Sequence, residues 1–137
     1  MKVIGFNFDK ISVEKLKDKT EKLNIKTNID VFELNRIESD ILKSKEDLIQ
    51  AKFSYTVTYE PGYANIDLKG TALLSLEEKQ AKEVLKEWKK KQMPEEFRVF
   101  LFNVIMRKAS LRSIHLEDEL NLPIHIPLPF LNPKKEK

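Results

Sequence analysis

Cysteine is absent from the 137 residues, and histidine and glycine are scarce, with two and three copies. Without thiols the chain has neither a disulfide framework nor thiolate chemistry, and an intracellular setting is the plain expectation. No G-x-G-x-x-G, G-K-[ST] or G-x-S-x-G sequence occurs, which excludes phosphate loops and nucleophile elbows of those kinds. No apolar run approaches the ~18 residues of a membrane-spanning helix. The amino terminus MKVIGFNFDK carries too short an apolar stretch for a signal peptide, so a soluble, cytoplasmic protein with no membrane contact is expected. Much Lys, Glu and Ile beside little Gly and no Cys also fits the composition of heat-adapted proteins.

A charge surplus of one sign is missing as well. Lys and Arg total 25 against 22 Asp and Glu, so the net charge of +3 is a small difference between two interspersed populations. The surplus sits in Lys89, Lys90 and Lys91 and in the closing Lys134, Lys135, Glu136 and Lys137. A nucleic-acid footprint needs a concentrated basic face, usually with interleaved aromatics, and that pattern argues against nucleic acid as a partner.

Catalytic groupings are equally thin. His115 lies near Glu117 and Asp118, but the spacing matches no helical metal site such as H-E-x-x-H and a third ligand is wanting. His125 falls outside the helix that holds His115. Glu77-Glu78, Glu95-Glu96 and Glu117-Asp118-Glu119 come at helix ends, on faces expected to be solvated. No metal, no cofactor and no catalytic residue is expected, and the chain reads as a non-enzyme.

What is present is enough apolar residue, 41%, to build a core in one domain spanning residues 1–137. Phe53, Tyr55, Val57 and Tyr59 alternate with Ser54, Thr56 and Thr58, the two-residue period of a strand with one buried face. Glu60-Pro61-Gly62-Tyr63 follows with the residues of a type II turn, and residues 64–74 return as the second arm of a hairpin. Gly70 on that arm is expected to admit a helix closely. Residues 2–13 and 25–34 alternate too, with slips near Asp9-Lys10 and at Phe32 that suggest bulges. Residues 35–50 read as a connector with a helical turn, through Ile37, Ile41, Leu42 and Leu48. The expectation for residues 1–74 is a four-stranded antiparallel meander.

Residues 75–120 read as two helices. Ser75-Leu76-Glu77-Glu78 matches a capping box, and Ala81, Val84, Leu85 and Trp88 recur at helical spacing after it. Pro94 opens the second helix, which runs to residue 120 and spans about 40 Å. Its first half is apolar nearly all round: Phe97, Val99, Phe100, Leu101, Phe102, Val104, Ile105 and Met106 leave no polar face. One sheet cannot cover so much surface, so Phe97, Phe100, Leu101, Val104 and Ile105 are the candidate oligomer interface. Residues 121–137 hold four of the six prolines and form an extended tail. Tyr63, Trp88, Leu128 and Phe130 are the candidate peptide contacts, with core packing the competing reading for Tyr63 and Trp88.

The order of elements, with Gly70-Thr71-Ala72-Leu73-Leu74 before the helices and Leu122-Pro123-Ile124-His125-Ile126-Pro127-Leu128-Pro129-Phe130 after them, resembles a subunit of the SecB export chaperones. The resemblance covers residues 3–133 and includes Lys10-Ile11-Ser12-Val13-Glu14 and Tyr55-Thr56-Val57-Thr58-Tyr59. The Tyr-Glu-Pro-Gly-Tyr turn and the Pro-Leu-Pro ending are similar to those of small archaeal proteins with no assigned function. The resemblance implies an α+β fold in which a short and a long helix pack on one face of the sheet. It also implies a homodimer or tetramer that holds non-native or extended polypeptides. A non-catalytic oligomeric scaffold or adaptor for one protein partner is the alternative. The chain departs from the family in its charged connection before the first helix, its missing final helix and its basic ending.

Overall fold

The computed structural model describes residues 1–17, 22–38, 46–129 and 131. Four long strands come first: β1 (Lys2–Lys15), β2 (Asn24–Ile37), β3 (Glu46–Glu60) and β4 (Ala64–Glu77). The helices α1 (Glu78–Trp88) and α2 (Glu95–Glu119) follow. All strand pairs are antiparallel, which bears out the α+β class with its antiparallel sheet.

The order across the sheet is β1-β4-β3-β2. Strands β2, β3 and β4 make the expected meander, but β1 pairs with β4 and not with its sequence neighbour. The apolar alternation of β1 is satisfied equally well by either neighbour, so the sequence pattern does not distinguish them. The outer rims of β1 and β2 are both open edges.

Alternation then decides the faces. Phe53, Tyr55, Val57 and Tyr59 of β3 stand opposite Gly70, Leu68, Ile66 and Ala64 of β4, and all are buried under the helices. The reverse face carries Lys52, Ser54, Thr56, Thr58, Asp67, Lys69 and Thr71, with Lys10–Asp67 and Lys52–Glu33 ion pairs of 2.8 and 3.3 Å. Exposed pairs of this kind contribute at most ~1 kcal/mol each, so the sheet is held by its covered face. Both suggested bulges are present, between Phe8 and Lys10 and between Val31 and Glu33, and a further one lies between Val3 and Gly5.

Four local expectations are corrected. Ile37 pairs with Leu48, so both belong to the β2–β3 ladder and not to a helical turn; Ile41 and Leu42 lie outside the described residues. Ser75 is a strand residue whose hydroxyl donates to Glu46 at 2.5 Å, and α1 starts later, at Glu78, after an N-cap residue, Glu77, that makes no side-chain cap. The turn keeps Gly62 at φ +57°, but the Tyr63 N–H donates to the Tyr59 carbonyl at 2.9 Å, closing a loop one residue longer than the expected type II turn; the Glu60–Pro61 peptide is cis. Gly70 accommodates a neighbouring strand instead of a helix: a Cβ there would sit 2.5 Å from the Asn7 carbonyl oxygen and 2.6 Å from the Phe53 ring.

The helices rest on β2, β3 and β4, leaving β1 outside their main packing. Helix α2 buries Phe97, Leu101, Ile105, Ala109, Ser113 and Glu117, a strict four-residue ladder along the sheet.

Candidate functional site

The carboxyl end of that ladder is polar. Tyr55 and Tyr59 point from β3 toward α2, and each buried phenol needs a hydrogen-bond partner. For Tyr59 the partners are the Glu117 carboxylate and the Pro123 carbonyl oxygen, the latter at 2.6 Å. For Tyr55 they are Ser110 Oγ at 3.2 Å and His125 Nε2 at 2.7 Å. His125 closes the network: its main-chain N–H donates to Glu117 Oε2 at 3.1 Å, and its Nδ1 lies 2.9 Å from Oε1.

Glu117 is 0% exposed and the His125 side chain only 2%. Moving a carboxylate out of water costs several kcal/mol unless hydrogen bonds and an opposite charge compensate. Here the imidazole, the amide and a phenol surround it. Burial, with Glu117 adding to it, pushes the Tyr59 hydroxyl well above the ordinary phenol range, and burial raises Tyr55 as well. These residues are held by three different parts of the chain: β3 by its alternation, α2 by its ladder, and the tail by the reversal that follows Leu120, where Asn121 takes φ +54°. Leu122 donates its N–H to the Glu117 carbonyl at 2.8 Å, which directs residues 123–125 back over the sheet.

This overturns the expectation that Glu117 is a solvated helix-end carboxylate. The four-residue spacing from Phe97 to Glu117 was the available signal, since it continues the apolar stripe into the acid. His115, by contrast, is exposed and takes no part. Among the described residues no cluster of three or more His, Cys, Asp or Glu is placed to hold a metal ion.

The other candidates scatter. Phe97, Leu101 and Ile105 are buried on the subunit's own sheet, while Phe100 and Val104 are half-buried. Tyr63 is buried, its ring edge-on to Tyr59 at 6.4 Å, which favours the core reading. Trp88 is half-buried with the Lys91 ammonium 4.7 Å from its ring centroid. Leu128 is exposed, and Phe130 lies outside the described residues. The apolar surface left open lies elsewhere. Val3, Ile4 and Ile11 of β1 are exposed, and so are Val99, Met106 and Leu111 of α2.

No family model and no curated protein matches the chain. Among solved structures it is similar to the SecB-like chaperone Rv1957 of Mycobacterium tuberculosis, determined in complex with a ChAD peptide from the Rv1956 HigA1 antitoxin. That likeness has a TM-score of 0.49 at 12% identity and covers 96% of this chain and 89% of the other. It concerns the course of the chain, and no residue role is carried over from it. No described helix is long and apolar enough to cross a membrane.

Proposed function

We propose that the protein is a non-catalytic, chaperone-like homo-oligomer of the cytoplasm that binds non-native or extended polypeptides. The observation that supports this most is where the subunit leaves its apolar surface open. On β1 the helix-side residues Phe6, Phe8, Ile11 and Val13 continue the buried face of β4, but Ile11 is exposed and Phe6, Phe8 and Val13 are only half-buried. On α2 the ladder facing the sheet is satisfied, and Val99, Met106 and Leu111 remain outside it at 44–58% exposure. Apolar residues aligned along a strand and a helix mark a surface that something else covers. Two open sheet edges of 14 residues each add main-chain groups that another strand can pair with.

In this reading Phe100 and Val104 join Val99 and Met106 in the contact between copies. Trp88 and Leu128 are the accessible peptide contacts. The local likeness of Tyr55–Tyr59 and the Pro-rich tail to the export chaperones points to the same client class. Light scattering coupled to size-exclusion chromatography, with and without an equimolar unfolded polypeptide, tests it. An oligomer that co-elutes with the client and suppresses its aggregation is the expected result. An oligomer that ignores the client would assign the open surface to a permanent scaffold or adaptor interface, and a monomer would overturn both.

A further inference from the structure

Residues 123–125 are gripped by their main chain as much as by a side chain. The Tyr59 hydroxyl lies 2.6 Å from the Pro123 carbonyl oxygen, and Glu117 accepts the His125 N–H at 3.1 Å. A carbonyl at one position and an N–H two residues later are what any extended segment offers along one edge, so this pair reads backbone without regard to sequence. Only one side chain is read. The imidazole fills a slot between Glu117, at 2.9 Å, and Tyr55, at 2.7 Å.

The grip is short and stands beside open space. A hollow of about 440 Å³ adjoins Glu117, walled by Tyr63, Asn121 and Pro123. Past His125 the chain leaves the subunit, with Leu128 45% and Leu131 85% exposed.

We infer that Tyr55, Tyr59 and Glu117 form a binding site for an extended polypeptide segment bearing an imidazole, occupied in cis by residues 123–125. A second such segment takes the site in trans when this strap lifts. The inference deepens the polypeptide-binding reading and rests on it for the class of ligand.

The probe is a fluorescein-labelled peptide copying residues 121–131, followed by anisotropy against the full chain. His125→Ala, which empties the slot, is expected to bind it at least tenfold more tightly than the unaltered protein. The same peptide with alanine in place of its histidine is expected to lose that gain. A folded His125→Ala protein that binds no peptide, or binds no better than the unaltered one, overturns the inference, as does equal binding of the alanine peptide. If the variant does not fold, hydrogen exchange on the unaltered protein decides. The His125 amide, which Glu117 accepts in the closed strap, exchanging ahead of those around Leu101 and Ile105 supports a strap that lifts. Exchange only with global unfolding overturns it. Failure to hold an unfolded client while the strap peptide is still taken up would sink the chaperone reading alone.

Discussion

Glu117 is the residue that ties the segment after α2 to the sheet. Removing it leaves the His125 amide and the Nδ1 of its imidazole without their acceptor inside the protein, and the Tyr59 hydroxyl with the Pro123 carbonyl alone. Glu117→Ala is therefore expected to cost about 3 kcal/mol, the scale of breaking a buried pair from one side, read as a lower urea midpoint. The phenols give a pH signature. Their folded-state ionisation lies above the ordinary value near 10, so the stability they contribute is complete below that pH and falls as pH rises through the alkaline range. Followed by near-ultraviolet absorbance, Tyr55 and Tyr59 are expected to ionise only as the fold is lost; reversible ionisation of both near pH 10 in the folded protein would contradict their burial. Ser113 behaves oppositely to Glu117. It is fully buried, and its hydroxyl has no partner among the described residues. Ser113→Ala is expected to raise stability by about 1 kcal/mol, since an unpaired hydroxyl leaves the interior and alanine suits a helix better. A destabilised variant would mean that the hydroxyl is bonded after all.

At the scale of elements, the junction of β1 with β4 is the most constrained place. Phe53 lies across Gly70, and Phe6 stacks on Phe53 with ring centroids 5.2 Å apart. Neither the Asn7 carbonyl nor the Phe53 ring can yield to a methyl group without moving β1. Gly70→Ala is expected to cost about 1–3 kcal/mol, the range for overpacking, in thermal or urea unfolding. An unchanged midpoint would show that β1 is held loosely. The strands, both suspected bulges and the two helices were legible because each is written in local period. What β1 pairs with was not, since pairing partners are chosen by packing many residues away. Ser75 misled for a related reason: Ser-x-x-Glu is a sound local signal, but the ladder with β3 runs on through Glu77 and outcompetes an early helix start. The polar network was half legible. Two tyrosines on a buried strand face demand an acceptor, and the ladder Phe97, Leu101, Ile105, Ala109, Ser113, Glu117 supplies one. What no period could reveal is that His125, beyond the helix, folds back onto it, because the tail has proline spacing and no repeat of its own.

For the whole molecule, the two sides of α2 set competing demands. Phe97, Leu101 and Ile105 are used within the subunit, so a charge among them has to enter its own core. Val99 and Met106 meet nothing in the described structure that would bury them. Substituting the two sides therefore separates folding from assembly. Leu101→Asp is expected to unfold the chain, because an unpaired carboxylate in the core costs several kcal/mol, comparable to the whole stability of a domain this size. A Val99→Glu, Met106→Glu double variant is expected to keep the helical and sheet circular dichroism, and its unfolding midpoint as a subunit, while the mass by light scattering drops to that of one chain. If its mass stays at that of the unaltered protein, α2 is not a contact between copies, and the open face of β1 becomes the surface to mutate next.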